Sequence, residues 1–208
     1  MRLVEDGLLS LDDKVVDYLS HPHPVGWDTS GPKSKVTIRH LLSMTSGFGE
    51  HACASDITNS FSLTECVKLI HDGSFGDLTS TGGMGAEAQQ VDATTVEPGS
   101  YWVYSSSGYQ VAAAVAEKAM ESTSGGTFND LYLRTFNPQD NTALSGWSWP
   151  NRRNPNYSGG LVISPADYAR IMGRYFSESL LDATSMAEME KAQTAELGAQ
   201  MLDIASNW

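Results

Sequence analysis

Apolar positions recur at helical spacing in several short stretches of this chain, and most of these stretches end at a glycine or proline. Leu3, Val4, Leu8 and Leu9 keep such a spacing from the first residue, with Gly7 where a helix C-terminus takes a left-handed residue. Leu11, Val15, Val16 and Leu19, behind Asp12 and Asp13, predict a short helix or turn. Ser20 to Lys35 holds Pro22, Pro24, Gly26, Gly31 and Pro32 and reads as loop. Thr37 predicts the cap of a helix whose apolar face is Ile38, Leu41, Leu42 and Met44, closed by Gly47. Ser62 and Glu65 form a capping-box pair that opens a helix to His71, closed by Gly73.

Between Gly73 and Gly99 no period survives, and the stretch reads as a long surface excursion. Ser105 to Ser122 is the strongest helix of the sequence. It is apolar round most of its circumference, which predicts burial on most sides. Phe128 to Phe136 predicts the next helix. The stretch from Asn137 to Pro155 reads as loop, with Trp147 and Trp149 as packing anchors. Ser164, Pro165 and Asp167 supply a cap, a first-turn proline and a first-turn acid for a helix running to about Ser177. A further helix is predicted from Ser185 to about Leu197. The candidates for strands are Tyr101 to Tyr104 and Gly160 to Ile163, so the chain reads as mostly helical with isolated extended pieces.

Composition narrows the partners. The 208 residues carry 13 Lys and Arg against 25 Asp and Glu, a formal net charge of −12. Nucleic acid and anionic membranes need a basic footprint, so both are excluded as expected partners. The longest strongly apolar run, Val111 to Ala116, is far short of the roughly 20 residues that span a bilayer. The opening residues, from Met1 to Asp6, place acids where a secretory signal needs an apolar stretch.

Candidate chemistry concentrates between Pro98 and Tyr109. Pro98 and Gly99 predict a turn, an extended piece ends at Tyr104, and a helix follows with Ser105 or Ser106 as cap. Tyr104 would then stand at a helix N-terminus, where backbone N–H groups favour a negative phenolate able to accept a proton. The plainer reading is a strand-to-helix corner with a packed tyrosine and a serine cap. Cys53 and Cys66 are the only cysteines. They read either as a disulfide, worth about 3 kcal/mol by chain entropy, or as two buried thiols. The five histidines show no zinc spacing, and no cofactor or metal is expected. Gly82 to Gly85 lacks the Lys-Ser/Thr of a phosphate loop, and Arg152 and Arg153 read as a solvated basic pair.

Four segments together resemble the serine β-lactamase and penicillin-binding-protein superfamily, specifically its class C β-lactamase-like esterases. They are residues 1–13, Val36 to Gly47, the stretch from Pro98 through Tyr104, Ser105 and Ser106 to Tyr109, and Gly159 to Leu161 with Ser164 and Asp167 to Arg170. The resemblance implies the α+β fold of β-lactamases and transpeptidases, with this chain supplying mostly the helical domain and few short strands. It implies acyl transfer from a small ester or amide, in which a Ser-x-x-Lys serine attacks the carbonyl. Tyr104 would handle the proton, and Ser106 stands where that family often carries Asn. A hydroxyl reaches less far than an amide, which leans toward ester substrates. Secreted relatives with a similar cysteine pair favour the Cys53–Cys66 disulfide, and with it a secreted or periplasmic location.

The sole Ser-x-x-Lys by letters, Ser30 to Lys33, has Gly31 and Pro32 inside the turn it must form. His71-Asp72-Gly73 matches a His-x-Gly motif by letters but precedes Tyr104 and ends a helix. The expectation is therefore a partial β-lactamase-related domain over residues 1–208, without its nucleophile segment and terminal strands and inactive alone. The alternative is a non-catalytic binding or scaffolding remnant. The resemblance gives no oligomeric state.

Overall fold

A computed structural model describes residues 1–55, 60–76, 94–121, 126–136, 153–177 and 179–194. Among these the α-helices are α1 (Arg2–Glu5), α2 (Val16–Leu19), α3 (Ile38–Leu42), α4 (Leu63–Gly73), α5 (Ser107–Met120), α6 (Phe128–Phe136), α7 (Pro165–Phe176) and α8 (Ala183–Glu190). Single 3₁₀ turns form at Pro32–Lys35 and Ala52–Ser55.

The predicted caps are in place. Thr37 accepts the His40 N–H while the His40 ring accepts the Thr37 N–H, so a histidine completes the capping box of α3. Ser62 and Glu65 do the same for α4. Ser164 accepts the Asp167 N–H at the start of α7, with Pro165 in the first turn. Gly7 follows α1 at φ +68°, a conformation that costs glycine little.

Three boundaries differ from the sequence expectation. The strand candidates do not join a sheet among the described residues. The Val103 N–H instead bonds the Met44 carbonyl at 3.0 Å, and the Gly160 N–H turns back to Asn156 at 2.8 Å. The bridges whose two members are both described are two isolated antiparallel pairs, Lys14 with Thr37 and Phe48 with Phe75, and Val162 of the second strand candidate also holds a bridge position. Helix α5 starts at Ser107 rather than Ser105, because the Ser105 hydroxyl is drawn to the Gly49 carbonyl at 3.0 Å. Helix α8 begins two residues early, because Asp182 outcompetes Ser185 as cap by accepting its N–H at 2.7 Å, and it ends at Glu190 before an extended Lys191. Trp147, Trp149, the Gly82 to Gly85 stretch and Arg152 lie outside the described residues. Arg153 pairs with Glu65 at 3.6 Å.

The core is built round α5. Val111 and Val115 are fully buried and meet Leu41 of α3, Val67 and Ile70 of α4, and Val15 and Leu19 of the α2 region. At Gly108 a Cβ would stand 2.9 Å from the Leu41 carbonyl, so only glycine allows α3 and α5 to cross this closely. Trp27 closes one end, its indole donating to the Lys33 carbonyl at 3.0 Å and its ring tilted on His71.

Candidate functional site

The chain turn after α3 and the chain entering α5 are stitched together, and that seam positions Tyr104. Met44 takes a left-handed φ of +59°, an uncommon conformation for a side chain of this size. Its carbonyl accepts the Val103 N–H, and the Thr45 carbonyl accepts the Gly99 N–H at 2.8 Å. Gly99 itself sits at φ +90° with the His40 ring 3.1 Å from where a Cβ would be, so the turn needs glycine on both counts. One residue past Val103, Tyr104 turns outward and is 50% exposed. Its phenol has no hydrogen-bond partner among the described residues.

The first turn of α5 is held from the loop 49–51. Ser105 donates its hydroxyl to Gly49 and accepts the Ser107 N–H at 3.1 Å. Ser107 in turn accepts the His51 N–H at 2.9 Å. The Ser106 N–H goes to the carboxylate of Glu50. Of the two cap candidates, Ser105 accepts an N–H at the start of α5 and Ser106 does not. Ser106 has helical dihedrals and makes no side-chain capping bond, while Glu50 and Ser105 occupy the N–H groups of Ser106 and Ser107. Those two groups are therefore not open to a Tyr104 phenolate, so the dipole argument for that form loses these two donors. The Ser106 hydroxyl, like the phenol, is without a partner among the described residues.

A second tyrosine clarifies the first. The Tyr109 hydroxyl donates to the Leu42 carbonyl at 3.2 Å. Burial raises its pKa above the usual phenol value, and the neighbouring Tyr104 adds to that. Tyr109 is thus a fixed neutral donor whose ring lines an apolar cavity of about 250 Å³ between α1, α3, α5 and α6. Tyr104 is the phenol left open to solvent.

Behind the loop, Cys53 is bonded to Cys66 of α4, which settles the two alternatives for the cysteines in favour of the disulfide. The Asn154 amide donates to the Cys53 carbonyl at 2.8 Å and accepts from Gln110 at 2.7 Å, and the Gln110 oxygen accepts the Tyr157 N–H at 3.0 Å. Gln110 and Asn154 are almost completely buried, so these bonds satisfy groups that would otherwise be costly to bury. Glu50, Gln110 and Asn154 were not singled out in the sequence. Gln110 carried a signal there, as a polar residue inside the most apolar helix. Glu50 carried none, since its contact spans 56 positions.

The letter matches behave as decoys. Gly31 has φ +75° and Pro32 opens a 3₁₀ turn, so Ser30 and Lys33 do not share an α-helical turn, and Lys33 faces Asp28 at 3.4 Å. His71 is buried, with Asp72 on its Nδ1 at 2.8 Å and the Asp28 N–H on its Nε2 at 3.3 Å. Among the described residues no group of three His, Cys, Asp or Glu side chains could hold a metal ion. No described helix is long and apolar enough to cross a membrane.

Residues 1–203 match the family model described as Beta-lactamase. Similar solved structures include the octameric penicillin-binding protein homologue from Pyrococcus abyssi, with TM-score 0.61 and 20% identity over 93% of this chain and 45% of that one. A penicillin-binding protein from Bacillus halodurans gives TM-score 0.57 and 19% identity over 91% of this chain and 58% of that one. The D-amino acid amidase from Ochrobactrum anthropi SV3 gives 0.56 and 17%, over 89% and 54% respectively. The chain spans about half the length of the structures it matches. No curated protein matches it.

Proposed function

Because this chain belongs to the Beta-lactamase family, we propose that it serves acyl transfer to water from a small ester or amide, as part of a β-lactamase-like serine hydrolase. Tyr104 is the phenol that takes and returns the proton of an attacking hydroxyl, and Ser106 faces the acyl side of the substrate. The observation that supports this reading is the outward Tyr104, without a hydrogen-bond partner among the described residues and held by backbone bonds to the turn after α3 immediately before the buried helix α5. A tyrosine placed only for packing would bury its ring or bond its hydroxyl, as Tyr109 does.

The sole Ser-x-x-Lys of the sequence cannot act as nucleophile and base, because its serine and lysine do not share a helical turn. The attacking hydroxyl is accordingly supplied by a segment other than these 208 residues, and the chain alone is inactive. Ester substrates suit Ser106, whose single hydroxyl oxygen reaches less far than an amide side chain, which sets a separate donor and acceptor against an acylamino group. The amidase among the similar structures keeps small amides within the class.

The test has two arms. Intact-mass analysis of the chain after exposure to p-nitrophenyl acetate or a cephalosporin should show no serine adduct and no burst. Stoichiometric labelling of a serine overturns the external nucleophile. In a longer protein that provides a helical Ser-x-x-Lys, Tyr104→Phe should lower kcat by about 10²–10⁴. An unchanged kcat overturns the role of the phenol.

A further inference from the structure

We propose that Glu50 makes this site selective for substrates with a free, protonated amine beside the scissile carbonyl, against those whose amine is acylated. The inference rests on the placement of Tyr104 and Ser106 in the site argued above. Glu50 reaches from the loop after α3, and its carboxylate accepts the backbone N–H of Ser106. Its charge thus lies one hydrogen bond from the residue that faces the acyl side. Among the described residues, the second carboxylate oxygen has the Ser55 hydroxyl, at 3.5 Å, the outer limit of a hydrogen bond.

No Lys, Arg or His pairs with Glu50 among the described residues. Carboxylates on α4 behave differently, Asp72 being paired with Lys68 at 3.0 Å and Glu65 with Arg153 at 3.6 Å. A partly buried carboxylate with no cation among the described residues, bonded to the backbone of Ser106, whose hydroxyl has no partner among them, favours a ligand that brings an ammonium group. An acylated amine brings a neutral N–H and a carbonyl oxygen, and that oxygen would be set against the Glu50 charge. The amide side chain that could accommodate an acylamino group is missing at Ser106, so both features select in the same direction.

The probes are leucinamide, with its free ammonium, and N-acetylleucinamide, titrated into the ¹⁵N-labelled chain while the backbone amides of Glu50 and Ser105 to Ser107 are followed by NMR. Leucinamide should bind about fivefold more tightly, the scale of one partly exposed ion pair. Glu50→Gln keeps an oxygen for the Ser106 N–H, so α5 still starts as before, and it should erase the preference. Equal affinities, a preference that survives in Glu50→Gln, or no shift with either probe each overturn the proposal. Tyr104→Phe should leave the amine preference intact, so failure of the phenol's role is read from kcat and failure of the Glu50 inference from the probe ratio.

Discussion

Helices α4 and α7 begin with the same device and end in opposite environments. Each opens on a serine whose hydroxyl accepts the N–H three residues on, and each has an acid at that third position. Yet α4 buries Leu63, Cys66, Val67, Ile70 and His71, whereas α7 buries only Asp167. Tyr168 lies more than half exposed on α7, and Phe176 is 76% exposed. The cap and the amphipathic pattern are local properties that decide where a helix starts and which face is apolar. Whether that face is covered depends on distant chain, and here α5 and the Cys53 loop cover α4. In the described structure, then, stability resides in the α2–α5 assembly, while α7 is a well-formed helix that contributes little to it.

The sharpest way to break this comparison is to remove one apolar side chain from each helix. Ile70→Ala should cost about 2–5 kcal/mol, because Ile70 is fully buried and its neighbours are held by α5 and the disulfide. Phe176→Ala should stay within about 0.5 kcal/mol despite deleting a larger group. Urea denaturation of both variants checks this, and similar losses in the two would mean that α7 is packed in solution. Next in size is the covalent tie. Replacing both Cys53 and Cys66 by Ala should cost about 3 kcal/mol, from the entropy of a loop closed across 13 positions. Because that loop leads into Glu50 and His51, which hold the start of α5, the same variant should raise amide exchange at Ser105 to Ser107. No equivalent response is expected in α7.

What the sequence revealed about this molecule follows the same division. Thr37, Ser62 and Ser164 announced their helices because a cap and its partner lie three residues apart. The buried α5 was visible in the run from Val111 to Ala116. Tyr104 was legible as a residue at a corner between an extended piece and a helix, though not as an exposed one. The seam that holds it was not, since the Gly49–Ser105 and Glu50–Ser106 bonds join residues 56 positions apart. The same distance effect shifted the start of α5: the Ser105 hydroxyl accepts the Ser107 N–H as a local cap does, but its donation to the distant Gly49 carbonyl ties Ser105 to that loop, outside the helix. Tyr101 to Tyr104 looked like a strand because its residues prefer extended backbone. It pairs with a turn rather than a sheet, a choice made by Met44 and not by its own residues.

Removing the caps sharpens the contrast at a smaller scale. Ser62→Ala should lower global stability by about 1 kcal/mol, since α4 unfolds only with the core. Ser164→Ala removes an equivalent bond from α7, and its effect should appear as faster local amide exchange with a barely altered urea midpoint. An equal fall in midpoint for both would show α7 to be coupled to the core.

The smallest effect distinguishes two capping boxes within the stable assembly. The box of α4 uses Glu65, whose carboxyl is held below its ordinary 4.5 by bonds from the Ser62 backbone and side chain, so it stays an acceptor until strongly acidic pH. The box of α3 uses His40, whose Nδ1 accepts the Thr37 N–H at 3.2 Å and must be unprotonated to do so. Burial holds His40 below its ordinary 6.5, with Arg39 reinforcing and Asp12 opposing that direction. The unfolded chain therefore takes up the proton first as the pH falls. The stabilisation is complete above 6.5 and is lost as the pH drops through the lower folded value. Stability should accordingly decline by less than about 0.5 kcal/mol between pH 7 and pH 5 through this group, the scale of a partly exposed interaction. His40→Gln, which keeps an acceptor that does not titrate, should flatten that part of the profile, while Glu65→Gln should leave it unchanged. A decline of the same size in His40→Gln would assign it to another group and leave the two boxes equivalent in their response to acid.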